Sequence, residues 1–177
     1  MYEVLQRRLE TEGQDQQERL MLSMNTMMPR EKGHAIGQLF DFWKFKAGPD
    51  GLPVLNDFSY KTALPPEVLR NVCWADVTPD DPFNFVTQDH AKLTAFSDAS
   101  NRRLGQHQSR MHYRACASEY LISIRERVPI YHEIDQAIGD ISRHYVRLML
   151  PVVDKMGRVV RLVYAVRIVK GATSSSS

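Results

Sequence analysis

The chain has 177 residues, 43% of them hydrophobic, which supplies one substantial core and gives little reason to expect a second. Lys and Arg total 23 against 21 Asp and Glu, so the formal charge of +2 creates no global field that would compel a nucleic-acid or membrane partner; any such partner needs a local patch. Cys73 and Cys116 lie far apart in no metal-like spacing, the start MYEVLQRR lacks the apolar run of a signal peptide, and no stretch of roughly 18 apolar residues occurs, which together point to a cytoplasmic protein.

Residues 1–32 read as an extension. Thr11 to Arg19 is almost wholly polar, with Val4, Leu5 and Leu9 before it and Leu20, Met21, Leu22 and Met24 after it. Its Glu, Gln and Arg content favours a helix, one that would need a partner chain or its own domain to pack on. The Met-rich stretch from Leu20 to Met28 is either an adaptable docking strip or a plain link to the core.

From Gly33 to Ala47, Ile36, Leu39, Phe40 and Trp43 fall at i, i+3, i+4 and i+7 and predict a helix with one buried face. Gly48-Pro-Asp-Gly51 stops it, and a short helix is expected from Pro66 to Asn71, with Pro in its first turn. Val72 to Val77 and Pro82 to Gln88 read as strands about the turn Thr78-Pro-Asp-Asp-Pro82. Ala91 to Gln106 is expected to be loop with a short helix. From Gln108 to Arg127 a longer helix is expected, with Tyr113, Ala117, Tyr120, Leu121 and Ile124 on one side.

Three strands close the chain: Pro129 to Ile134, Ser142 to Val153 and Arg158 to Val169. In the last two, His144, Val146, Leu148 and Leu150 share one face, and Val160, Leu162, Tyr164, Val166 and Ile168 another. A three-residue loop, Lys155-Met156-Gly157, sets these opposite each other, pairing Leu148 with Tyr164 and Leu150 with Leu162. The outward face then carries Arg143, Tyr145, Arg147, Arg161 and Arg167, with Tyr145 opposite Arg167. Such a face is either a docking surface for an acidic partner or nucleic acid, or a solvated face that guards the sheet against aggregation. The tail, residues 171–177, is low-complexity and expected to be disordered.

The expected architecture is α+β: an antiparallel sheet of about five strands with helices on one face, residues 33–170, plus the N-terminal helical extension. Three features of this order, the aromatic helix ending at Phe42-Trp43, the stretch from Leu52-Pro53 to Asp57-Phe58, and the closing run Tyr131, Tyr145-Val-Arg-Leu-Met-Leu-Pro151 and Gly157, resemble a bacterial PAS-like sensory family. The likeness spans Gly33 to Val169. It departs at Phe83 to His90, where the family has an Arg-rich strand and a Gly-Thr pair. The resemblance implies a PAS sheet with helices enclosing a small cavity, used for sensing, dimerisation or docking.

No phosphate-binding Gly loop, nucleophile elbow, HExxH or CxxCH motif occurs. His107 and His112, five apart, would point about 140° apart on a helix, which spoils joint metal ligation, so no metal is expected. His112 and Cys116 share a helix face at i, i+4, the arrangement of an activated thiol or of a small Cys packed beside a rim His. Asp76, Asp80 and Asp81 are expected to form a turn, with a catalytic base or cation site as the alternative. Trp74, Phe83, Phe85, Tyr113, Tyr120 and Leu148 are candidates to line a ligand cavity, or else ordinary core. The expected function is a sensory or regulatory module, not an enzyme, with its cofactor left open. It would act as a homodimer, bind a small molecule or a protein partner, and signal in trans. The alternatives are a cofactor-free cone-type enzyme using Asp76 or a histidine, and a binder of nucleic acid or acidic partners through the arginine face.

Overall fold

The computed structural model describes residues 2–89, 102–107 and 109–174. The chain opens with a hairpin, not a helix: β1 (Val4–Glu12) and β2 (Asp15–Leu22) pair with Glu12 opposite Asp15. Gly13, at φ +64°, takes the first position of the two-residue turn, where glycine tolerates a positive φ. α1 (Met24–Arg30) follows, capped by the Ser23 hydroxyl, which accepts from the Thr26 N–H at 3.2 Å.

α2 (Ala35–Lys46) buries the four positions that its spacing singles out, Ile36, Leu39, Phe40 and Trp43. The Trp43 indole donates to the Pro151 carbonyl at 2.9 Å, fixing the helix to the sheet. The short helices α3 (Tyr60–Ala63) and α4 (Pro66–Leu69) lead into β3 (Val72–Asp76) and β4 (Val86–Asp89). Pro82–Asn84, expected to begin a strand, is a 3-10 turn instead, with the Asp81 side chain accepting from the Phe83 N–H. Of the loop expected over 91–106, residues 91–101 lie outside the described residues; Arg102–Arg103 forms β5 and Leu104–Gln106 a 3-10 turn. α5 (Arg110–Glu126) then precedes β6 (Ile130–Ile138), β7 (Ile141–Val153) and β8 (Val159–Ser174).

One antiparallel sheet takes the strands in the order β1-β2-β6-β7-β8-β3-β4, seven in all, with the two-residue β5 a short eighth beside β4. This exceeds the expected five because the N-terminal hairpin joins the sheet by pairing β2 with β6, so residues 1–32 are not a separate extension. The tail expectation also changes. Gly171 to Ser174 continue β8, where Thr173 pairs with Ser142, and 175–177 lie outside the described residues.

The loop between β7 and β8 is the expected one: the Asp154 N–H bonds the Arg158 carbonyl at 2.8 Å, and Gly157 has φ +80°. The register beyond it is not. Val153 pairs with Val159 but Val152 with Arg161, so Val160 is a bulge that shifts the pairs from Val152 to Tyr145 by one, and further irregularities follow on either side of His144. Leu148 therefore faces Ala165, Leu150 faces Val163, and Tyr145 faces Ile168 rather than Arg167. A one-residue slip exchanges the faces. Arg143, Tyr145 and Arg147 point to one side of the sheet with Tyr164 and Val166, and Arg161 and Arg167 to the other with Leu148 and Leu150.

Helices cover both sides, not one. α5 lies over the face of Arg147, while the α1–α2 segment lies over the opposite face, where the Tyr131 hydroxyl donates to Glu31 at 2.6 Å. No helix among the described residues is long and apolar enough to cross a membrane.

Candidate functional site

Beneath α5, three neighbouring strands direct charged side chains at the helix. Arg19 of β2 lies opposite Ile134, and His132 of β6 lies opposite Arg147 of β7, so all three share the face that α5 covers. The helix meets them with Cys116, Glu119, Tyr120 and Ser123, spaced i, i+3, i+4 and i+7 and all buried. The face expected from Tyr113, Ala117, Tyr120, Leu121 and Ile124 is met at Ala117 and Tyr120, which are buried. The structure rotates it toward polar residues and leaves Leu121 and Ile124 half-buried.

Glu119 is the centre of the cluster. Arg19 donates to it twice, from Nε to Oε1 at 2.5 Å and from Nη2 to Oε2 at 2.7 Å, and Arg147 Nη2 also donates to Oε2. His132 Nε2 stands 3.6 Å from Oε1. Relative exposures are 2% for Arg19, 5% for Glu119, 4% for Arg147 and 3% for His132. Burial opposes ionisation of Glu119, but the facing Arg19, His132 and Arg147 outweigh it and hold the carboxyl well below its usual range. Burial works the other way on the imidazoles. It pushes His132 down to about 4 and, aided by Arg19 and Arg147, His112 down to about 3, so both are neutral at pH 7. Two guanidiniums then face one carboxylate.

The sulfur of Cys116 completes the group. It lies 3.3 Å from His112 Nε2, 3.6 Å from Arg147 Nη1 and 3.8 Å from Arg19 Nη2, so the His–Cys contact expected on one helix face forms, inside the ion cluster rather than at a rim. His107 precedes α5 instead of lying on it, and its ring lies against that of His112, tilted by 32° with centroids 4.3 Å apart. Among the described residues no group of three or more His, Cys, Asp or Glu side chains could hold a metal ion. A niche of about 20 Å³ reaches Glu119 and His132 between Arg8, Arg19 and Ser118, room for one water-sized molecule.

The six cavity candidates divide across the sheet. Phe83, Phe85, Tyr113 and Tyr120 lie on the α5 side: Phe85 stacks on Tyr120 at 6.4 Å, and the exposed Phe83 meets Tyr113 edge-on at 6.0 Å. The Arg147 guanidinium sits 5.9 Å over the Tyr120 ring, joining this aromatic row to the ion cluster. Leu148 is core on the opposite face, and Trp74 lies there between Lys61 and Arg161, 5.4 and 4.0 Å from its ring centre. One cavity cannot hold all six.

The arginine face does not exist as an exposed surface. Arg143, Tyr145 and Arg147 are buried, Arg143 lying 5.5 Å over the Tyr145 ring; Arg161 covers Trp74, and Arg167 donates to Glu31 at 2.8 and 2.6 Å. The bulge at Val160 and the cover of α5 are the physical reasons. Asp76 accepts from the Thr78 N–H and hydroxyl, and Asp81 from the Phe83 N–H, as turn formers do. Glu119, Arg19 and His132 drew no attention in the sequence, since none belongs to a motif or to an apolar period. The i, i+3, i+4, i+7 set from Cys116 to Ser123 was the available signal. Compared with family models, curated proteins and solved structures, the chain matches none.

Proposed function

We propose that the chain is a PAS-like regulatory module that senses a small ligand or a protein partner and signals in trans as a dimer. The observation that carries this reading is Glu119, a single buried carboxylate on α5 held at once by Arg19 of the N-terminal hairpin and Arg147 of the central sheet. A ligand or contact that favours a different setting of α5 changes what holds Arg19, and so shifts the hairpin by the difference in its affinity for the two settings. The element order supports the PAS-like part: two strands, a helix and three strands, β3, β4, α5, β6, β7 and β8, with first and last side by side in mid-sheet. The stimulus would be felt on the α5 side, where the aromatic row of Phe85 and Tyr120 adjoins the ion cluster.

Native mass spectrometry of the purified protein, set against its denatured mass, tests the reading. Expected is a dimer, either retaining a small molecule or shifting its mass when a protein partner is added. A monomer that neither retains nor gains any partner overturns it.

A further inference from the structure

We propose that two copies of the chain pair through β1, edge to edge and antiparallel about a two-fold axis at Leu9, so that the sheet runs on from one molecule into the other. The inference rests on the reading of the chain as a dimeric module and names the interface. β1 stands at the end of the sheet, and among the described residues no strand pairs with its outer edge. An open edge strand is ordinarily blunted by inward charges, proline or brevity. This one carries inward charges, Arg8 and Glu10, but they are paired with each other, and it is nine residues long, without proline, and exposes Leu5 at 60% and Leu9 at 64%.

The register follows from geometry and charge. In an antiparallel pair, residues that exchange two hydrogen bonds alternate with residues that exchange none, so two copies of one strand can pair only with some residue opposite itself. Centring on Arg7, Arg8 or Glu10 puts like charges face to face, centring on Thr11 sets Glu10 against Glu12, and centring on Gln6 falls on the bulge at Leu5. Centring on Leu9 alone sets Arg8 against Glu10 of the second copy and Glu10 against its Arg8, with Gln6 facing Glu12 and Arg7 facing Thr11.

Within one chain, Arg8 Nε already donates to Glu10 Oε1 at 2.7 Å while Gln17 Nε2 holds Glu10 Oε2, so the Arg8–Glu10 bond is the one that can exchange partners across the edge. On the other face, Leu9 meets Leu9 and covers its own exposed surface. An open concavity of about 430 Å³, bordered by Leu9, Thr11, Gln16, Glu18 and Asp135, then continues across the axis.

The test is sedimentation over a range of concentrations with charge reversals. Arg8→Glu and Glu10→Arg should each raise the dimer dissociation constant at least tenfold, and the double reversal should restore it. Leu9→Cys should form an intermolecular disulfide on mild oxidation, and Glu12→Cys, distant from its copy in this register, should not. A dimer indifferent to the single reversals, or one in which Glu12→Cys cross-links and Leu9→Cys does not, overturns the strand pairing. So does a monomer at every concentration. Retention of a small molecule or partner in the native mass, read separately, then shows whether the module reading falls with it.

Discussion

Glu31 and Glu119 are buried carboxylates on opposite faces of one sheet, each bonded to arginine, and their surroundings differ. Glu31 accepts from the Tyr131 hydroxyl and from Arg167, whose side chain remains 28% exposed at the rim. Burial would raise its pKa, yet the hydrogen bonds from Arg167 and Tyr131 prevail and hold it below the usual range. Glu119 faces two guanidiniums that are themselves buried, among imidazoles and a thiol. One pair is a tie that solvent can relieve; the other is an interior charge set that stands or falls together.

The largest test of that difference is Glu119→Gln. It leaves Arg19 and Arg147 buried without their carboxylate, and a loss of about 3–5 kcal/mol in urea denaturation is expected. A loss below about 1 kcal/mol would mean that the arginines find other partners.

Acid comes next. In the unfolded chain His112 and His132 titrate near 6.5, while in the fold they lie at about 3 and about 4. Between about pH 6.5 and 4 the unfolded state therefore binds more protons, so stability is complete above 6.5 and falls as the pH drops through this window. The melting temperature should be lower at pH 5 than at pH 7, and His132→Gln should flatten the slope. An unchanged slope in that variant would place the histidine outside the coupled set.

Glu31→Gln should cost less than Glu119→Gln, about 1–3 kcal/mol, because Arg167 can turn to water. Smallest is Arg161→Ala, at about 0.5–1 kcal/mol from the lost contact with Trp74. If Glu31→Gln proves the more damaging of the two glutamate variants, the contrast between the faces is reversed.

Much of the α2 side was legible in the sequence, because Ile36, Leu39, Phe40 and Trp43 are apolar residues at helical spacing. The β7–β8 loop was legible too, through Gly157, which takes a positive φ of +80°. The register beyond it was not. A bulge at Val160 changes no residue type, only which neighbour each one faces. The N-terminal hairpin was hidden for a related reason: the positions β2 buries include Gln17 and Arg19, so no alternation of apolar residues announces a strand. Arg19 is buried against Glu119, a hundred residues away, and Gln17 against Glu10, the Met111 carbonyl and Arg19 itself. The candidate site was illegible because its members are polar residues scattered over four elements, and the fold alone makes them neighbours.

Hydrogen exchange on the wild type and Glu119→Gln tests the central claim most directly, that this carboxylate couples the N-terminal hairpin to α5. Protection should fall together in β2 and the middle of α5, and stay close to wild type in β3 and the adjoining part of β8. Loss confined to α5, with the β2 amides as protected as before, would contradict the coupling and with it the proposed route from α5 to the hairpin.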